Sequence, residues 1–207
     1  MSESPPALPR RRDWYALSAA AFRWVHIYVS MLGFATLMFF AFTGLTLNHP
    51  TWFGAAQQST RDEHGQLPSD VYVPGKDVDR LAVAEWLRDT HHLSGRVAEF
   101  TVDEAECMIV FKGPGYSVDL FLNRDNGTYQ LTETTTGAMA VLNDLHKGRD
   151  TGTPWSWVID LSAIITMLMS ISGFGLLFYI RRRRVSGVVT AVVGTVLLIV
   201  VWALWVP

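Results

Sequence analysis

The side chains of this chain best suited to chemistry are its six histidines, and three of them sit at the ends of apolar runs. His26 lies early in "FRWVHIYVSMLGFATLMFFAFTGLTLN", His49 follows that run and precedes Pro50, and His146 closes "GAMAVLNDLH" just before a second run. An imidazole at such a rim can be an interfacial anchor, a metal ligand or a haem ligand. His26 and His49 are separated by roughly 34 Å of helix, so they cannot share one ligand. His49 and His146 belong to crossings that a short bundle brings together on one side. Two neutral imidazoles facing each other are what a low-spin b-type haem requires, with no cysteine involved. Thr43, Gly44 and Thr46 offer small residues beside them, and Phe39, Phe40, Phe42, Trp155 and Trp157 offer aromatic walls. Lys147 or Arg149 is placed to reach propionates. A zinc or copper site from His49, His146 and Asp144 is the other arrangement, without a compact ligand motif behind it. His26 is an ionisable residue inside an apolar run, which is a functional expectation in itself. Its stripe with Ser30, Gly33, Leu37 and Gly44 is narrow enough for close packing. His64, His91 and His92 read as solvent-facing or structural.

Three elements must position these residues. The apolar runs Phe22–Asn48, Trp157–Ile180 and Val188–Val206 each approach or exceed the roughly 20 residues of a spanning helix. The chain carries eight tryptophans, several at the ends of the runs, as an interfacial belt has them. Arg10, Arg11, Arg12 and Arg23 precede or open the first run, and Arg181 to Arg184 link the second and third, which puts both clusters in the cytoplasm. The expected order is a cytoplasmic segment 1–21, transmembrane helix 22–48, a periplasmic domain with linkers 49–156, transmembrane helix 157–180, a basic loop 181–187 and transmembrane helix 188–206. The first run far exceeds the roughly 7–15 apolar residues of a signal peptide, so a spanning helix is expected there.

A net charge of -2 gives no reason to expect nucleic acid as a partner. The single cysteine, Cys107, excludes an internal disulfide, a Cys-x-x-Cys redox pair, covalent haem attachment and a cysteine-ligated iron–sulfur cluster within one chain. No Gly-x-Ser-x-Gly or His-Glu-x-x-His motif points to a hydrolase. Three crossings without an internal repeat make a poor transport pathway.

The stretch between the first two runs reads as a small α+β unit. Arg61 to Pro74 is polar and reads as a linker. Leu81, Ala84, Trp86 and Leu87 recur at helical spacing, which predicts a helix from about Val78 to His91. "RVAEFTVDE" and "CMIVFKG" flank an acidic turn, and "YSVDLFLNRDNGTYQLTE" is a hairpin around its Asn-Gly. Three or four antiparallel strands with a helix on one face are expected. A short helix carrying Met139, Leu142, Leu145 and His146 then ends at Gly148.

"RWVHIYVSMLGFATLMFFAFTGLTLNH", with its early His and late Thr-Gly, resembles the first helix of the PepSY-associated transmembrane helix family. "LNDLHKGRDTG" followed by "ISGFGLLFYIRRRR" resembles that family's second signature, a Leu-His before a helix with Ser-Gly and a basic stop. Val78 to Glu133 is similar to a PepSY domain. The resemblance implies an α-helical inner-membrane protein with three transmembrane helices and a periplasmic PepSY-like domain. It further implies a siderophore-reductase-like cytochrome that passes electrons to a periplasmic acceptor such as a ferric complex. His26, His49 and His146 match the family's histidine positions. The implied cofactor is haem b, one between His49 and His146 and a second if His26 gains a ligand. A quinol or protein donor, lipid, and a homo-oligomer or larger membrane complex are the implied partners. The alternative is a non-enzymatic PepSY accessory protein that binds or stabilises a partner.

Overall fold

The computed structural model describes residues 14–54 and 56–207. Arg10, Arg11 and Arg12 lie outside the described residues. The element order is α1 (Trp14–Asn48), a 3-10 turn (Trp52–Gly54), β1 (Gln58–Gln66), α2 (Arg80–His91), β2 (Arg96–Val102), β3 (Glu106–Gly113), β4 (Tyr116–Asn123), β5 (Thr128–Thr136), α3 (Ala138–Lys147), α4 (Thr153–Leu177) and α5 (Arg184–Trp205). Two compact units result, one of which is Met38–Asp160; the other ends its first segment at Leu37 and resumes over Leu161–Pro207.

Three described helices, α1, α4 and α5, are long and apolar enough to cross a membrane. Helix α1 starts at Trp14 rather than Phe22 because "WYALSAAA" is a good helix former with no breaker in it. None of the described residues of α5 is buried, and its valines, leucines and tryptophans face outward, as lipid-facing side chains do.

In the unit Met38–Asp160 a five-stranded antiparallel sheet runs in the order β1-β5-β4-β3-β2. The last four strands form a meander, and β1 joins at the far edge by pairing with β5. The stretch expected as a linker therefore holds a strand. Its sequence, "QSTRDEHGQ", buries almost nothing, and its place comes from main-chain bonds to β5 rather than from apolar alternation. The β4–β5 turn is the expected one. Asn123 Oδ1 accepts from the backbone N–H of Asp125 and Asn126, and Gly127 takes the left-handed conformation (φ 73°) that closes it.

Alternation along β3, β4 and β5 places Cys107, Ile109, Phe111, Val118, Leu120, Leu122, Tyr129 and Leu131 on one buried face. Helix α2 covers that face. Asp79 caps its start, accepting from the N–H of Leu81 and Ala82, and His92 ends it in the left-handed conformation (φ 55°). Val83, Ala84 and Leu87 are the residues it buries. Leu81, expected on that stripe, is exposed, and Val83 lies on the buried side instead. Burial pushes the Cys107 thiol pKa up, which suits an inert packing role.

His91, at the end of α2, is tied to the sheet on both sides. Its Nδ1 lies 2.5 Å from Glu63 Oε2 on β1, and its Nε2 lies 2.7 Å from the Tyr129 hydroxyl on β5. Trp86 meets both rings edge-on. Gly65 leaves room for the Tyr129 ring; a side chain there would collide with the phenol. His91 therefore clasps the helix to an edge strand that burial alone does not hold.

Two outcomes follow for the folded domain. Leu87→Ala is expected to lower its stability by about 2–5 kcal/mol, read from thermal or denaturant unfolding of the detergent-solubilised chain. The Arg61 hydrogen bond, with His91 adding to it, holds the Glu63 carboxyl below the usual range. A carboxyl with a depressed folded pKa contributes stability above its unfolded pKa and loses it as pH falls through the folded one. Stability is thus expected to hold from neutral pH down to the ordinary glutamate range and to decline below about pH 4. In Glu63→Gln that acid decline should be shallower in a pH series of melting curves; an unchanged slope would count against the clasp.

Candidate functional site

The turns of α1 from Thr43 to Thr46 are apolar except for these two hydroxyls, and both are fully buried. Helix α3 supplies their partners. Thr43 Oγ1 lies 2.6 Å from His146 Nδ1, and Thr46 Oγ1 is hydrogen-bonded to the Asn143 side chain at 2.7 Å. The spacing of three residues on each helix matches one face of one to one face of the other, running in opposite directions. Each hydroxyl also reaches its own main chain, Thr43 to Phe39 O at 2.6 Å and Thr46 to Thr43 O at 2.9 Å.

The His146 ring is wedged between these groups. Phe40 meets it edge-on at 5.2 Å, and a Cβ on Gly44 would stand 3.6 Å from its Cε1. Its Nε2 has no hydrogen-bond partner among the described residues. Burial, reinforced by the neighbouring Lys147 charge, pushes its pKa down, so it is neutral at physiological pH. Trp155 of α4 donates its indole N–H to Leu145 O at 2.7 Å and packs edge-on against Phe39, which fixes the end of α3. Gly148 closes α3 in the left-handed conformation (φ 69°), its N–H returning to Asp144 and Leu145 carbonyls.

His49 is the first residue beyond α1, and its ring stacks on Trp52 at 3.9 Å and 9°. Neither of its ring nitrogens is hydrogen-bonded to a described residue. Thr43, which His146 touches, and His49 lie roughly 120° apart around the helix. No hydrogen bond or ring contact joins the two imidazoles among the described residues: one ring is held by Thr43 and Phe40, the other by Trp52. Asp144 stands apart from both, since its Oδ2 accepts from Gly115 N–H at 2.9 Å. Among the described residues no group of three or more His, Cys, Asp or Glu side chains is arranged to hold a metal ion. That sets aside the zinc arrangement; an axial haem pair needs only two side chains. Arg149 lines a cleft of about 250 Å³ with Lys112, Ser117 and Thr134, while Lys147 is exposed.

His26 belongs to the other unit and has its own partners there. Its Nδ1 lies 3.2 Å from Met169 O and 3.1 Å from Ser172 Oγ on α4. A Cβ on Gly173 would come to 3.0 Å from its Cε1. Ser30, one turn further along α1, has a buried hydroxyl with no hydrogen-bond partner among the described residues. Thus His26 and His146 are both held at Nδ1 by a hydroxyl, and both lie over a glycine. The His91 clasp is not legible in the sequence, because its partner Glu63 lies on a strand that does not look like one.

No curated protein and no solved structure matches the chain. A family model does, described as PepSY_TM-like, over residues 20–207. The match takes in the three apolar helices, the sheet and all of the histidines just described, and the chain belongs to the PepSY_TM-like family of membrane proteins.

Proposed function

We propose that the chain is an inner-membrane b-type haem protein that hands electrons to a periplasmic acceptor, such as a ferric complex, with its N-terminus and the basic Arg181–Arg184 link in the cytoplasm. The observation that carries this reading is His146: a neutral imidazole, anchored at Nδ1 by a buried hydroxyl, whose other nitrogen has no hydrogen-bond partner among the described residues. Ligating histidines are characteristically held in this way at the nitrogen away from the metal. Bound haem would supply a one-electron ferric/ferrous couple. His146 would hold the haem through Nε2, with Thr43 orienting the ring and Phe40 and Gly44 giving an apolar wall beside it. His49 is the second axial candidate, with both ring nitrogens uncommitted. His26, similarly anchored and with an unpartnered hydroxyl at Ser30 one turn away, is the candidate for a second haem. Sidedness rests on Arg181 to Arg184 between α4 and α5.

A second reading is the accessory protein. It draws on α5, none of whose described residues is buried and whose Gly194 faces open space, as in a helix that packs on a partner.

The test is a visible spectrum of the detergent-purified protein from haem-replete cells, oxidised and then reduced with dithionite. Sharp reduced α and β bands at about one haem per chain are expected for bis-histidine ligation. His146→Ala should remove the bands, and His49→Ala should remove them or convert them to a high-spin form. His26→Ala should change the count only if the wild type holds about two. A colourless protein would overturn the haem reading and leave the accessory role.

A further inference from the structure

We infer that α1 and α4 carry two histidine cradles that fix the ring tautomer, Thr43 Oγ1 for His146 and the Met169 carbonyl with Ser172 Oγ for His26, placing the proton on Nδ1 and leaving Nε2 as a bare lone pair. Thr43 and Ser172 are positioning residues in this scheme. Its functional meaning rests on the haem reading above, whereas the geometry stands without it.

The assignment follows from counting protons. A hydroxyl has one proton and can accept through its oxygen. Thr43 Oγ1 stands 2.6 Å from the Phe39 carbonyl oxygen, a separation that two oxygens hold only with a proton between them. The Thr43 proton is therefore committed to its own helix. The 2.6 Å contact with His146 Nδ1 must then be made by a proton on the imidazole. His26 reaches the same result by a stricter route. Its Nδ1 lies 3.2 Å from the Met169 carbonyl, which can only accept, and 3.1 Å from Ser172 Oγ, whose proton goes to that same carbonyl at 3.0 Å. In a neutral ring a proton on Nδ1 leaves Nε2 unprotonated, the form that binds a metal.

The glycines complete the device. The Cε1 edge of His146 lies over Gly44, and that of His26 lies over Gly173, at 3.6 Å and 3.0 Å from where a Cβ would be. A side chain at Gly173 would press on the His26 ring, nearer to Cε1 and Nδ1 than to Nε2, whereas one at Gly44 would make only ordinary contact with His146. Gly173 thus lets the His26 ring lie close enough to α4 for its Nδ1 contacts.

The measurement is a long-range proton–nitrogen correlation spectrum of the full chain, labelled with nitrogen-15 at histidine, in detergent without added haem. Signals are assigned by the loss of one set in His146→Gln and one in His26→Gln. Both rings are expected to show a pyrrole-type Nδ1 and a pyridine-type Nε2. Thr43→Val should shift His146 toward the Nε2–H form or a mixture, and Thr43→Ser should restore the wild-type pattern. Ser172→Ala should leave His26 protonated at Nδ1, because the Met169 carbonyl still accepts. A wild-type His146 or His26 protonated at Nε2 would overturn the inference without recourse to any variant. So would a Thr43→Val protein, folded by circular dichroism, with an unchanged His146 pattern. In the haem-loaded protein Thr43→Val should weaken haem binding by about 10–100-fold. A chain that shows both Nδ1–H rings yet takes up no haem sinks the haem reading and leaves the cradles standing.

Discussion

A hydroxyl inside an apolar helix has one dependable acceptor for its proton, a carbonyl of the preceding turn, because lipid offers none. Serines and threonines of α4 and α5 follow this constraint: Ser156 donates to Gly152 O, Thr166 to Ser162 O, Ser170 to Thr166 O, Ser172 to Met169 O, Ser186 to Arg183 O, Thr190 to Ser186 O and Thr195 to Ala191 O. Once the proton is so used, the oxygen is an acceptor and nothing more. On an outward face, as at exposed Ser170 and Thr195, that has no further consequence. At Thr43 and Ser172, where the oxygen faces a histidine on another helix, the donor is by this count an imidazole, whereas the Thr46 hydroxyl is shared between Thr43 O and Asn143 Oδ1. The polarity of the sites descends from that local rule.

Close approach is the other requirement, and glycine meets it. In lipid, helices associate through packing and hydrogen bonds rather than through exclusion of water. Gly33 receives the side chains of Ile165 and Met169, Gly175 receives the Phe22 ring, and Gly187 receives Leu177. Tyr15 and Phe22 pack on Tyr179 at the same end. Adding a methyl at Gly33 or Gly175 would meet side-chain carbon directly, so these positions set how near α1 and α4 lie within their unit. Gly194 meets nothing, and α5 correspondingly contributes no buried residue.

Much of this was legible from residue order, and the exceptions have physical causes. The spanning helices show themselves by length and lack of charge, α2 by its spacing, and the β4–β5 turn by Asn-Gly. Strand β1 does not, because an edge strand made of Gln, Ser, Thr, Arg, Asp, Glu and His carries no burial pattern; its partner strand alone defines it. The His91 clasp was hidden for the same reason, since Glu63 lies on that strand. The rim positions of His49 and His146 were readable, but the directions of their rings were not. Those depend on Thr43, Phe40 and Trp52, and a sequence gives the identity of such neighbours without giving their facing.

The pairing of β1 with β5 bears on how such a protein can change over generations. The first and last strands of the inserted domain are neighbours, Gln58 opposite Thr136, and the seam is closed by the Gly137 N–H bonded to Gln57 O at 3.2 Å. Entry and exit points therefore stand about one strand spacing apart, near 5 Å. A domain with such a narrow neck is a cassette. It can be lengthened, replaced or lost at the neck while the two chain ends that carry it keep their separation.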